Sequence, residues 1–119
     1  MDARNTRQHL RLVVLDTPDT LHLIVAGEVD IDTVEPLRLA LAAATHRSSL
    51  PVSVDLSAIT FADTAIVNTL LRARLDLAER LRVSATSRPV RRLLDLLGVD
   101  HAFALDTASA RGRVDAWAT

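Results

Sequence analysis

The sequence predicts an α/β domain in which a mixed sheet of four to five strands packs against about four helices. Segments with the apolar character of strands alternate along the chain with segments whose apolar residues recur at helical spacing. The 119 residues are 49% hydrophobic and 24% charged, a composition typical of one globular domain with a substantial core. We therefore predict one domain over residues 9–119, preceded by a short tail over residues 1–8.

The first two predicted strands form a hairpin. Residues 9–15 are rich in apolar and β-branched side chains, and residues 17–20 read Thr-Pro-Asp-Thr, which supplies a turn. Residues 21–26 are almost entirely apolar, as is typical of a strand covered on both faces, and they are followed by Gly27. The second strand is therefore predicted to lie inside the sheet.

The first helix is predicted to follow the second strand, with Asp32 or Thr33 as its N-cap. Pro36 falls in the first turn, where the missing backbone N–H costs little. Four apolar residues then share one face at helical spacing, and we expect them in the core: Val34, Leu37, Leu41 and Ala44.

A third strand and a second helix come next. Residues 52–57 alternate between apolar and polar side chains, which is the period of a strand. A helix is then predicted from a cap at Asp63 or Thr64 to about Arg80. Its apolar stripe consists of Ile66, Leu70, Ala73 and Leu77.

The remaining third of the chain repeats the alternation. Residues 81–86 read as a short strand, and the cap-then-proline sequence at residues 87–89 opens a helix that ends at Gly98. A last short strand is predicted within residues 102–105, and Thr107 is predicted to cap a final helix.

The composition excludes several kinds of chemistry. The chain has no cysteine, and all 14 basic residues are arginine, so disulfides, thiol catalysis, Schiff bases and a P-loop lysine are excluded. The four histidines lack metal-ligand spacing, and a net charge of −1 gives no electrostatic footprint for nucleic acid. No apolar run reaches the ~20 residues that span a bilayer. We expect no catalytic site, cofactor, metal, nucleic-acid contact or membrane insertion, and a cytoplasmic location.

Three motifs point to a family. Residues 27–30 read G-E-V-D, residues 54–66 read V-D-L-S-A-I-T-F-A-D-T-A-I, and residues 87–98 read S-R-P-V-R-R-L-L-D-L-L-G. In this order they resemble the STAS family of anti-sigma factor antagonists. The corresponding family patterns are G-E-[LIV]-D, D-L-S-x-V-x-F-x-D-S-[ST]-G-L and S-P-x-V-x-R-[LIM]-x-x-x-x-G. The resemblance covers roughly residues 10–105.

The resemblance implies a STAS-like fold and a function in binding a partner protein. In the family, the hydroxyl residue after the motif's aspartate accepts phosphate from an anti-sigma factor kinase. The unphosphorylated form binds that anti-sigma factor and frees a sigma factor. The matching position here is Thr64, and the residues that the resemblance places at the partner surface are Asp30, Asp32, Asp63, Ala65 and Ile66.

The chain departs from the family pattern beside the predicted phosphate acceptor. Ala65 and Ile66 replace the second hydroxyl residue and the glycine of the family. Two further functions therefore stay open: a degenerate STAS module that binds constitutively, and a STAS subunit that clamps the ATPase of an ABC-type lipid transporter. A purely structural role is also open, with Asp63 and Thr64 as helix caps and Asp30 with Asp32 in a solvated loop.

Overall fold

The computed structural model describes residues 10–47, 49–99 and 103–105, and over these residues it confirms a single α/β domain with a mixed sheet. A 3-10 turn over Ala78–Arg80 follows the second helix. The predicted tail over residues 1–8 and the predicted helix from Thr107 lie outside the described residues. The described elements are β1 (Arg11–Asp16), β2 (Leu21–Val29), α1 (Glu35–Arg47), β3 (Val52–Ala62), α2 (Thr64–Leu77), β4 (Leu81–Thr86), α3 (Arg88–Leu97) and β5 (Ala104–Leu105).

The described strands form one sheet in the order β1-β2-β3-β4-β5, with β1 antiparallel to β2 and the other pairs parallel. The predicted hairpin between β1 and β2 is confirmed. Thr17 closes its turn, because its N–H and its hydroxyl both donate to the Thr20 carbonyl oxygen, at 3.0 and 2.8 Å. The predicted interior position of β2 is also confirmed, since β1 and β3 flank it.

The predicted apolar stripes form the core. All four stripe residues predicted for the first helix, of which Val34 directly precedes α1, and all four of α2 are buried in a single cluster with apolar residues of the strands. Val90 and Leu94 of α3 belong to the same cluster, and α3 packs on β3 while α1 packs beside α2. Each fully buried Leu or Ile side chain contributes about 1.5–3 kcal/mol to the free energy of unfolding, so these stripes hold the helices on the sheet.

The start of α1 differs from the sequence prediction. The helix begins at Glu35, and the first bond of its ladder runs from the Arg38 N–H to the carbonyl oxygen of Val34 (3.1 Å). Neither Asp32 nor Thr33 is therefore the N-cap. Thr33 instead bonds to Asp30 in the turn before the helix, and this local bond competes with capping.

The ends of α2 and α3 show two ways of stopping a helix. Ala78 has a left-handed φ of 53° and ends α2 at Leu77, three residues before the predicted end. The Arg74 guanidinium donates to the Ala78 carbonyl oxygen (2.8 Å) and so holds this end in place. Gly98, with a φ of 67°, caps α3 as predicted, because glycine adopts this conformation without a Cβ penalty.

The third strand is longer than predicted and extends past its neighbour. The last described pair between β3 and β4 is Leu56 with Thr86, whereas β3 continues alongside β2 as far as the pair Val29 and Ala62. The register between β2 and β3 shifts twice, between Ile24 and Ala26 and between Gly27 and Glu28, and the φ of 99° at Gly27 favours glycine. The ends of β2 and β3 therefore project together beyond β4.

Candidate functional site

The candidate site lies where β2 and β3 end side by side. Val29 and Ala62 form their last pair, and the Asp63 N–H donates to the Val29 carbonyl oxygen (3.2 Å). The loop that begins at Asp30 and the junction at Asp63 therefore leave the sheet from the same place. Two of the three sequence motifs are brought together here, at the carboxyl ends of two parallel strands, where binding sites of α/β sheets commonly lie.

Asp63 caps α2, which decides between the two caps that the sequence predicted, Asp63 and Thr64. Its backbone is extended (φ −122°, ψ −168°), and its carboxylate accepts the Ala65 N–H at 2.8 Å. Its carbonyl oxygen accepts the Ile66 N–H at 3.2 Å. A cap of this kind contributes about 0.5–2 kcal/mol, so Asp63 has a structural role whatever else it does.

Thr64 is the first residue of α2, and its side chain is exposed. Within the described part of the chain, its hydroxyl makes no hydrogen bond, because Asp63 rather than Thr64 serves as the cap. A phosphate on this hydroxyl would lie at the positive end of the helix, which favours an anion by roughly 0.3–1 kcal/mol. The position is chemically suited to a phosphate acceptor.

The loop after β2 is held by reciprocal bonds between Asp30 and Thr33. The Asp30 carboxylate accepts the N–H groups of Asp32 (2.9 Å) and Thr33 (3.0 Å), while the Asp30 N–H donates to the Thr33 hydroxyl oxygen (2.9 Å). That hydroxyl in turn donates to the carbonyl oxygen of Glu28 (2.8 Å). Asp30 therefore shapes the loop from a half-buried position, whereas Asp32 is exposed at the surface.

Two exposed apolar side chains stand beside these polar residues, and the sequence analysis did not assign them to the site. Ile31, between the two aspartates of the loop, is 80% exposed, and Phe61 near the end of β3 is 50% exposed. Phe61 pairs with Glu28 across the two strands. The sequence did contain a signal for Ile31, because this isoleucine lies between two aspartates in a predicted loop. Such a loop offers no core position for an apolar side chain.

The predicted partner contact at Ile66 requires a correction. Ile66 is 0% exposed and belongs to the core cluster, so it does not lie on the surface. It is the third residue of α2, and the helical rotation from the exposed Thr64 turns its side chain towards the sheet. Ala65, between them, is half-buried.

The remaining polar residues of the longest motif have a structural role. Asp55 is buried in β3 next to a register shift, and its carboxylate accepts both the hydroxyl (2.6 Å) and the N–H (2.9 Å) of Ser57. These two bonds give hydrogen-bonding partners to the Asp55 carboxylate and to the Ser57 N–H and hydroxyl, close to the point where β3 and β4 change register. The D-L-S part of the motif thus stabilises the strand that leads to the site.

Acidic side chains lie in both loops of the site and at the start of α1. Asp32 and Asp63 lie in the two loops, and Glu35 follows at the start of α1. The exposed Arg38 donates to the Glu35 carboxylate, and this hydrogen bond lowers the pKa of Glu35. Among the described residues, no three His, Cys, Asp or Glu side chains are grouped to hold a metal ion. None of the described helices is long and apolar enough to cross a membrane.

The mixed sheet and the Asp63-Thr64 junction between β3 and α2 agree with the STAS-like fold that the motifs predict. A family model described as "Mlab, STAS domain" matches residues 12–107. The chain therefore belongs to the STAS domain family, which confirms the resemblance seen in its motifs. No curated protein matches the chain.

Solved structures of anti-sigma factor antagonists share this fold. One from Mycobacterium paratuberculosis is 26% identical, with a TM-score of 0.73 over 86% of this chain and 94% of that one. Unphosphorylated SpoIIAA is 19% identical, with a TM-score of 0.65 over 88% and 98%. Phosphorylated SpoIIAA from Bacillus is 17% identical, with a TM-score of 0.61 over 80% and 90%. At these lower identities, the likeness to SpoIIAA concerns the fold alone.

Proposed function

We propose that the chain is an anti-sigma factor antagonist that binds an anti-sigma factor of the serine/threonine kinase type and so releases a sigma factor. The main support is the placement of Thr64, an exposed hydroxyl residue at the first position of α2, directly after its cap. The likeness to the mycobacterial antagonist at 26% identity supports this class of partner. The proposed binding surface includes Thr64, Asp30, Asp32, Asp63 and Ala65.

Phosphorylation of Thr64 is the proposed switch. The Thr64 hydroxyl oxygen attacks the γ-phosphorus of ATP held by the kinase, ADP leaves, and the hydroxyl proton passes to a base of the kinase. The product adds a charge of about −1.5 to −2 next to the carboxylate of Asp63. Because the Asp63 cap remains bonded to Ala65, we expect the added charge to change partner binding and to leave the fold intact.

Ile31 and Phe61 are the proposed apolar anchors of this surface. Exposed apolar side chains surrounded by polar residues are typical of protein-binding sites, and buried aromatic anchors carry much of the binding energy. The exposed carboxylate of Asp32 lies beside Ile31 in the same loop. We therefore expect the partner to present an apolar pocket for these two side chains. We expect its surface opposite Thr64 to be acidic, so that a phosphate on Thr64 repels it.

We also propose that the protein is cytoplasmic, that it binds its partner without catalysing a reaction, and that it holds no cofactor of its own. ATP is expected on the kinase, because this chain has no lysine for a P-loop.

The decisive experiment is co-purification with the candidate anti-sigma factors of the host, with and without ATP, followed by mass spectrometry of the Thr64 peptide. Thr64→Glu is expected to weaken the complex, and Thr64→Ala is expected to preserve it. Ser49→Glu serves as the charge control, because Ser49 is exposed before the start of β3, at the opposite end of that strand. Absence of any kinase-like partner would contradict the proposal.

Constitutive binding is the second candidate function. It is favoured by the loss of the second hydroxyl at Ala65 and by the burial of Ile66 where the family has glycine. This candidate predicts equal affinity of the Thr64→Glu and Thr64→Ala variants for the same partner. Recovery of a transporter ATPase in place of a kinase would support the lipid-transporter subunit instead.

A further inference from the structure

The outer face of α2 carries apolar side chains that the described elements leave uncovered. Leu75 is 84% exposed, and Leu71, one turn earlier, is only half-buried. Residues four apart lie on the same side of a helix, so the two leucines form one apolar strip. Arg72 borders this strip and also lines a cleft of about 220 Å³ between α1 and α2.

Two opposite charges flank the same strip. Arg72 and Asp76 are both exposed and both line the α1 side of α2. Neither forms an ion pair within the described residues, although their spacing of four would permit one along the helix. An arginine placed before its acidic partner is the less favourable order for a pair within one helix, so both charges stay available to another chain.

We propose that this face of α2 binds the same face of a second copy of the chain, with the two helices antiparallel. A two-fold axis near residue 74 brings Leu71 and Leu75 of both copies together. It also places Arg72 opposite Asp76 of the partner subunit, and Asp76 opposite Arg72 of the partner subunit. On the side of the strip that faces α1, the two copies are thus complementary in charge, as a two-fold symmetric interface requires, while Arg74 on the other side donates to the Ala78 carbonyl oxygen of its own chain.

The second copy is favoured over a different protein because a single patch supplies both members of each ion pair. We expect one helix face from each copy to bury less than the ~1,200–2,000 Å² of a stable interface, and we therefore expect a weak dimer that forms only at high protein concentration. The contact is independent of the proposed function, since Leu75 lies about 16 Å along α2 from Thr64 at the helical rise per residue.

Sedimentation equilibrium of the full chain from about 5 μM to about 1 mM tests the apolar part of this proposal. The wild-type chain is expected to dimerise, and Leu75→Ser is expected to raise the Kd at least about tenfold. Leu96→Ser is the matched control, because Leu96 on α3 is 81% exposed and lies outside the proposed face. It is expected to leave the Kd unchanged.

Charge reversal tests the pairing. Arg72→Asp is expected to raise the Kd at least about tenfold, because it brings like charges together across the axis. An equimolar mixture of the Arg72→Asp and Asp76→Arg variants is expected to dimerise with a Kd within about threefold of wild type, because each acidic side chain then faces an arginine of the other chain. Circular dichroism checks that each variant is folded. A wild-type chain that is monomeric at about 1 mM, equal effects of Leu75→Ser and Leu96→Ser, or failure of the mixed variants to dimerise would each overturn the proposal.

Discussion

Two substitutions at Asp63 distinguish the stability that its capping hydrogen bond contributes from the stability that its charge contributes. Asp63→Ala removes the hydrogen bond to the Ala65 N–H and the carboxylate near the helix start. We expect a loss of about 1.5 kcal/mol in the free energy of unfolding, from about 1 kcal/mol for the cap and a few tenths for the charge. Asp63→Asn keeps a hydrogen-bonding cap and loses only the charge, so we expect a loss of about 0.5 kcal/mol.

Urea unfolding followed by circular dichroism measures these differences. The chain supplies a matched control in Ser87, which also occupies an N-cap position but makes no side-chain cap bond. The Ser87 hydroxyl oxygen is buried without a partner among the described residues, so Ser87→Ala is expected to change stability by less than about 0.5 kcal/mol. Equal losses for Asp63→Ala and Asp63→Asn would refute the capping argument, as would a loss at Ser87 equal to that of Asp63→Ala.

Further predictions concern Ile66 and the two exposed apolar residues. Ile66→Ala is expected to lower the free energy of unfolding by about 2–4 kcal/mol, because it leaves a cavity in the core, and urea unfolding measures this loss. A loss below about 1 kcal/mol would mean that Ile66 is not a core residue. Ile31→Ser and Phe61→Ser are each expected to weaken anti-sigma factor binding at least about tenfold, by calorimetry, with unchanged stability. Unaltered affinity would show that these two side chains do not anchor the partner.

Local patterns in the sequence predicted most of the elements. The stripe of α2 from Ile66 to Leu77 is buried as expected, because helical spacing places these residues on one side irrespective of the rest of the chain. The strand at residues 81–86 and the cap at Gly98 were also predicted correctly, from apolar alternation and from glycine's tolerance of positive φ.

Other features depended on competition between neighbouring residues. Asp30, Asp32 and Thr33 are all good N-cap residues, and the sequence does not state which of them bonds to which. In the fold, Thr33 bonds to Asp30 and α1 starts later, at Glu35. The length of β3 was underestimated because its last residues are held in the sheet by pairing with β2, which no local pattern in the sequence reveals.

By itself, the sequence determined the order of the elements, their apolar faces, including Ile66 on the stripe of α2, and the family motifs, because these depend on residues close together in the chain. Only the tertiary structure decided that Asp63 and not Thr64 caps α2, and that Ile31 and Phe61 are exposed. It also decided that the Asp30 loop and Thr64 leave the sheet side by side. The physical reason is that exposure and proximity depend on which strands pair and how far each one extends, and these contacts join residues that are far apart in sequence.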